Sequence, residues 1–212
     1  MEIAQKRWDG IAKPLHSLGK LETLLIQIAG ITGNAEVDLS RRGLIAMCAD
    51  NGVVEEGVTQ TGQEVTAIVA ENFLKYDTSV GVMCKQNHAE IFPVDMGMVT
   101  DTKVRTDHKI AYGTQNMTKG PAMTREQAVK GLEAGIDMVR ELNDKGYRIL
   151  ATGEMGIGNT TTSSAVASVL LKQPVEEMTG RGAGLTSEGL VRKINAIKKA
   201  ISRRPSGLRK TI

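Results

Sequence analysis

Aromatic residues are scarce: one Trp, three Tyr and two Phe make up 3% of the chain. A core must therefore be built from Ile, Val, Leu, Met and Ala. The two cysteines, Cys48 and Cys84, sit within apolar stretches. With no CxxC pair and no Cys/His cluster, they suit reduced core thiols of a cytoplasmic protein rather than a disulfide framework. His16, His88 and His108 are scattered, none with a second ligand at a useful spacing, so no metal site is expected. No apolar run approaches the length needed to cross a bilayer, and none at the N-terminus resembles a signal peptide, so no membrane partner is expected. No GxSxG or other nucleophile motif is present.

The chain has 212 residues with 41% hydrophobic and 24% charged content, enough for one substantial domain or one plus a small appendage. Its net charge of +3 is unevenly placed: Arg203, Arg204, Arg209 and Lys210 stand in the last ten residues, which hold no acid. The remainder is near neutral, which gives no sign of a nucleic-acid surface.

Residues 2–11 and 20–31 read as two short helices, the second with Leu21, Leu24, Leu25, Ile28 and Ala29 on one face. Residues 43–49 form a continuous apolar run bounded by turn signals, as in a strand buried on both faces of a parallel sheet. Helices are predicted over 63–74 and 78–86, a second strand over 89–94, and an irregular stretch over 99–120. The clearest helix spans 124–145, where Thr124 and Gln127 have the spacing of a capping box and Gly146 supplies the stop. A third strand over 147–152 and helices over 160–171 and 189–201 complete the pattern. The alternation predicts an α/β fold, a parallel Rossmann-like sheet flanked by helices, with a small helical N-terminal appendage.

The three predicted strands end alike: Asp50-Asn51-Gly52, Asp95-Met96-Gly97 and Gly153-Glu154-Met155-Gly156. The carboxyl ends of parallel strands share one edge, where ligands bind. Two readings stand. The acids face a common cleft, or Asp and Gly are simply frequent where strands turn into loops. The segment Gly153-Glu154-Met155-Gly156-Ile157-Gly158-Asn159-Thr160-Thr161 is neither a P-loop nor a dinucleotide fingerprint. It lets a backbone approach closely and leads into a helix whose first N–H groups favour an anion. Alternatively, it is a turn that merely lets strand and helix pack. Glu154, repelled by a phosphate, is placed to accept from a substrate N–H or to act as a base; otherwise it is a loop acid capping a neighbouring helix. A second glycine cluster, Gly180-Arg181-Gly182-Ala183-Gly184, precedes the helix that carries Lys193. Lys193 there is a phosphate or ribose contact, or an ordinary solvated lysine.

Several ordered motifs resemble one family. They are Lys13-Pro14 followed by Ser17-Leu18-Gly19-Lys20-Leu21-Glu22; Met47-Cys48-Ala49-Asp50-Asn51-Gly52-Val53 with Glu56-Gly57-Val58; Gly120-Pro121-Ala122-Met123-Thr124; and the 153–161 segment. The family is the nicotinate-nucleotide:dimethylbenzimidazole phosphoribosyltransferases of cobalamin nucleotide-loop assembly, and the likeness runs from about Ile11 to Ile201. The resemblance implies transfer of the 5-phosphoribosyl group from nicotinate mononucleotide to 5,6-dimethylbenzimidazole. The products are α-ribazole 5′-phosphate and nicotinate, with inversion at the anomeric carbon. It implies a cytoplasmic homodimer with small-molecule substrates and no metal or other cofactor. By the same resemblance Glu154 faces the benzimidazole, Gly156, Asn159 and Thr160 lie at the nucleotide, Gly182 and Lys193 serve the phosphoribosyl group, and Thr61 lines the base pocket. Asp50, Asp95 and Gly97, from the strand ends, complete the expected substrate-binding set.

Two features depart from the family. Asn51 stands where histidine is usual, keeping hydrogen bonding but not titration. Beyond Ile201 the sequence is basic and resembles nothing in the family, and the segment carrying the family's general base is absent, as a C-terminal truncation would leave it. The expected organisation is thus part of a small helical domain over 1–35, an incomplete α/β core over 36–201 and a non-family tail over 202–212. Glu154 is then an auxiliary carboxylate. A non-catalytic nucleotide- or benzimidazole-binding protein, or an inactive fragment, stands as the alternative.

Overall fold

The computed structural model describes residues 1–203; the expected basic tail lies, from residue 204 onward, outside the described residues. The chain divides into a unit from Met1 to Arg41 and a second from Arg42 onward. The division falls after the expected boundary because Ala35 and Val37 still pack against the N-terminal cluster of Ala4, Ile26 and Ala29.

Two helices make the first unit, α1 (Glu2–Asp9) and α2 (Lys20–Thr32). Its packing differs from the predicted apolar face. Glu22, Ile26 and Ala29 are the buried residues of α2, whereas Leu21 and Leu24 are exposed. Glu22 goes inside because its carboxylate has partners: Lys13 Nζ at 2.9 Å and the Leu18 N–H at 3.0 Å. A buried charge is retained when such bonds replace water.

The second unit is built on three parallel strands in the order β2–β1–β3: β1 (Arg42–Ala49), β2 (Ala89–Gly97) and β3 (Ile149–Met155). Side chains alternate along β1. Ala46 and Cys48 pack on one face with Ala67, Ala70, Phe73 and Cys84, carried by α3 (Glu64–Lys75) and α4 (Ser79–Gln86). Ile45 and Met47 pack on the other with Met138 and Leu142 of α5 (Arg125–Asp144). Cover on both faces accounts for the unbroken apolar run of β1. Both cysteines are free and buried, and burial pushes the Cys48 thiol up to about 12.

The capping box forms as its spacing predicts: Thr124 Oγ1 accepts from the Gln127 N–H at 3.2 Å and Gln127 Oε1 from the Thr124 N–H at 2.9 Å. Three further helices follow β3: α6 (Asn159–Leu171), the short α7 (Val175–Met178), which the sequence pattern missed, and α8 (Ser187–Ser202). Ala165, Val175 and Ile197 join them in one apolar cluster. Strands β2 and β3 both run further than predicted, to Gly97 and Met155, so Asp95 and Glu154 belong to strand ends rather than to loops.

Candidate active site

Strand register brings the three acids to one edge. Asp95 pairs with Cys48, Glu154 pairs with Met47, and Asp50 follows directly on β1. They do not share a cleft. Asp50 and Asp95 are wholly buried, whereas Glu154 is exposed. Asp95 Oδ1 accepts from the N–H groups of Gly97 and Met98 at 2.9 and 2.7 Å, and its Oδ2 lies 3.1 Å from Lys109 Nζ. Asp50 Oδ2 accepts from the Val99 N–H at 2.9 Å. Both carboxylates thus hold the irregular segment after β2 against the sheet. Gly97 does the same through its carbonyl, which accepts from the N–H groups of Asp50 and Gly113 at 2.9 and 3.0 Å. Burial raises the Asp50 pKa against the opposing bonds from Thr66 and Val99.

The glycine loop runs from β3 into α6 along the end of β1. A Cβ on Gly156 would overlap the Ala49 carbonyl oxygen, and Gly158 has φ +90, so neither position takes a side chain without moving backbone. Gly158 is the N-cap of α6 and supplies no side-chain cap. Asn159 fills that role in part: its Oδ1 accepts from the Thr160 N–H at 2.6 Å. The same side chain reaches back, with Nδ2 donating to Glu154 Oε1. Glu154 therefore stands beside the helix N-terminus, projecting to the α5 side of the sheet as its partner Met47 does. Surrounding protein displaces enough water to raise its pKa above the ordinary glutamate value, although the bond from Asn159 acts the other way.

Lys193 reaches this helix end from α8. Its side chain is 1% exposed, and Nζ donates to Thr160 Oγ1 at 2.7 Å and to the Gly180 carbonyl at 3.1 Å. No carboxylate lies within ion-pairing distance of it among the described residues. Desolvation accordingly lowers its pKa. The solvated-lysine reading is therefore overturned. Gly182, at φ +58, completes the corner: a Cβ there would stand 2.8 Å from Thr160 Oγ1 and 3.4 Å from Lys193 Nζ. Thr160, Gly182 and Lys193 thus converge from three segments, whereas Gly156 lies against the end of β1 and Asn159 against Glu154. Thr61 is exposed in the loop before α3, and its neighbour Gln60 donates to the Gly184 carbonyl, which draws that loop to the second glycine cluster.

A buried cation with no carboxylate partner beside a helix N-terminus suits an anion, although the Asn159 and Thr160 N–H groups are taken by the Gly156 carbonyl and by Asn159 Oδ1. A carboxylate on the adjoining strand end adds a hydrogen-bond acceptor or proton acceptor. The family model described as phosphoribosyltransferase matches residues 1–211. The chain belongs to this phosphoribosyltransferase family. Among similar phosphoribosyltransferases is the nicotinate-nucleotide–dimethylbenzimidazole phosphoribosyltransferase of Ruminiclostridium cellulolyticum, 51% identical over 203 residues, which are 95% of this chain and 58% of the relative. Its counterpart in Clostridium acetobutylicum is 50% identical over 204 residues, again 95% and 58% of the two chains. The solved structure of CobT from Thermus thermophilus superposes with a TM-score of 0.85 at 37% identity, covering 96% of this chain and 62% of that one. The chain thus spans less than two thirds of the length of these phosphoribosyltransferases.

One contributor to the site, Thr66, escaped sequence reasoning, and Asn51, marked there only as a departure from the family, gains its partners here. Thr66, wholly buried on α3, accepts the Ile157 N–H at 3.0 Å. Asn51 donates to the Ile157 carbonyl at 3.2 Å and accepts from Thr162 Oγ1 at 3.2 Å. Thr66 sits on an apolar helix face and carries no motif that would mark it. Among the described residues no group of three His, Cys, Asp or Glu side chains is placed to hold a metal ion.

Proposed function

We propose that this chain forms the nucleotide-holding part of an enzyme that transfers the 5-phosphoribosyl group from nicotinate mononucleotide to 5,6-dimethylbenzimidazole, releasing nicotinate and giving α-ribazole 5′-phosphate. The buried, anion-free Lys193 at the start of α6 carries this reading. The 5′-phosphate takes the place prepared by Lys193, Thr160 and Gly182 beside the N-terminus of α6. An anion paired with Lys193 offsets the cost of burying its charge. Asn159 and Gly156 adjoin the ribose, and Thr61 lines the pocket of the base. Asp50, Asp95 and Gly97 enter as supports that hold the strand-end loops.

Glu154 accepts from the acceptor ring on the side away from the phosphate. In-line attack by a ring nitrogen on the anomeric carbon inverts its configuration and expels nicotinate. The ring then loses a proton, for which a carboxylate is the fitting acceptor. Glu154 is the auxiliary carboxylate in this scheme, and the family's general base belongs to the part of the relatives' length that this sequence does not span. On the resemblance alone, the proposal extends to a homodimer acting in the cytoplasm on small molecules. No helix among the described residues is long and apolar enough to cross a membrane.

The test is nicotinate release when both substrates are supplied, measured for this chain and for a version extended with the remaining segment of a relative. Release by either, lost on replacing Glu154 or Lys193, supports the assignment. Release by neither, together with no binding of nicotinate mononucleotide, overturns it.

A further inference from the structure

An anion site at a helix start works only if the loop that enters the helix is held at a fixed angle. Glycine loops resist this, because peptides flanked by glycine rotate at low cost. The loop here has Gly156 and Gly158 on either side of Ile157, so the residue-157 peptide groups are the ones most free to turn. Both of their polar atoms are nevertheless taken. The N–H donates to Thr66 Oγ1 at 3.0 Å, and the carbonyl accepts from Asn51 Nδ2 at 3.2 Å.

Each clamp has its own foundation. Thr66 is wholly buried and its hydroxyl hydrogen-bonds Asp50, which is also wholly buried and takes the Val99 N–H at 2.9 Å. Asn51 is fixed through its Oδ1, which accepts from Thr162 Oγ1 at 3.2 Å, one turn into α6. Its main chain is held as well, since Gln63 Nε2 donates to the Asn51 carbonyl at 3.2 Å. The loop is thus gripped from α3 on one side and from the end of β1 on the other. Neither grip uses Thr160, Gly182 or Lys193.

We infer that Thr66 and Asn51 are positioning residues for the phosphoribosyl donor: by pinning both polar atoms of Ile157 they fix the entry of α6, and with it Thr160, against the anion beside Lys193. This rests on the anion site proposed above. Asp50 acts one step further back, as the acceptor that orients the Thr66 hydroxyl. Its buried strand-end position thereby gains a role in binding without touching substrate.

Calorimetric titration of the whole chain with inorganic phosphate and with nicotinate mononucleotide tests the inference, with thermal melting run in parallel. Thr66→Val keeps the shape and removes the hydroxyl. It is expected to weaken both ligands about tenfold, the scale of one buried hydrogen bond and the disorder its loss allows. Thr66→Ser, which retains the hydroxyl, is expected to bind within about twofold of wild type even where its melting temperature falls through the lost methyl. That separation of affinity from stability is what a purely structural role would not give. Asn51→Ala, at a half-buried position, is expected to match Thr66→Val, and it carries the test alone if the valine variant does not fold. Wild-type affinity in both variants, with binding still lost in Lys193→Met, overturns the inference and leaves the anion site standing. Failure of the wild-type chain to bind either ligand removes the site and the inference together.

Discussion

Replacing Lys193 by methionine should weaken phosphate binding while leaving stability unchanged or slightly improved. The side chain is 1% exposed, and its ammonium has two neutral acceptors, Thr160 Oγ1 at 2.7 Å and the Gly180 carbonyl at 3.1 Å. Burying a cation costs several kcal/mol, and two charge-assisted hydrogen bonds return about 1.5–3 kcal/mol each. The two contributions nearly cancel. Thr160 and Gly180 are themselves exposed, so water replaces the lost donor at little cost. Methionine then fills most of the volume, and the expected change in unfolding free energy is within about 1 kcal/mol. Affinity responds differently, because the anion loses a buried cationic partner. Loss of about 1.5–3 kcal/mol corresponds to roughly 10- to 100-fold weaker binding of phosphate or nicotinate mononucleotide.

The pH dependence of stability follows the same logic. Lys193 has a folded pKa below its unfolded value. Between the two, the unfolded chain binds more protons, so stability rises as pH climbs through that window toward 10.5. The methionine variant lacks this rise. Calorimetry with phosphate and denaturant melts at several alkaline pH values give both readouts. Unchanged affinity combined with a loss of about 3 kcal/mol or more in stability would make Lys193 a structural strut and refute the reasoning.

Gly156→Ala places a methyl against the Ala49 carbonyl, a backbone atom that cannot yield. Phosphate binding should be lost and stability should fall by about 1–3 kcal/mol, checked by titration and melting. Glu154 has a raised pKa, so its accepting, ionised form is depleted as pH falls through that value. Binding of 5,6-dimethylbenzimidazole should weaken over that range beyond the ring's own titration, and Glu154→Gln should show the ring's limb alone. An unchanged pH profile in the glutamine variant would exclude Glu154 from ring recognition. Thr124→Ala removes one arm of the α5 capping box; it should cost about 1 kcal/mol in denaturant unfolding and leave phosphate affinity unaltered.

The elements legible in the sequence were those encoded locally. The β1 run, the Thr124–Gln127 capping box and the glycine loop entering α6 depend on side-chain spacing or backbone stereochemistry over a few residues. What failed depended on distant partners. The apolar stripe of α2 suggested that Leu21 and Leu24 point inward, yet Glu22 is buried because Lys13 and the Leu18 N–H satisfy it. Asp50 and Asp95 looked like cleft residues, but the segment after β2 folds back to offer them N–H groups.

Taken alone, the sequence determined an α/β chain with a parallel sheet, the family whose motifs it shares, and the glycine loop as a close turn from a strand into a helix start. Strand end, glycine spacing and helix start suffice for that. Only tertiary structure decided which distant side chains touch the loop and its helix. Lys193 meets Thr160 across 33 positions, Ile157 meets Thr66 across 91, and Asn51 meets Thr162 across 111. Contacts at such separations leave no local periodicity to read. They are fixed by how β1, α3, α6 and α8 pack, which also leaves one lysine buried without an anion and turns two of the three strand-end acids inward.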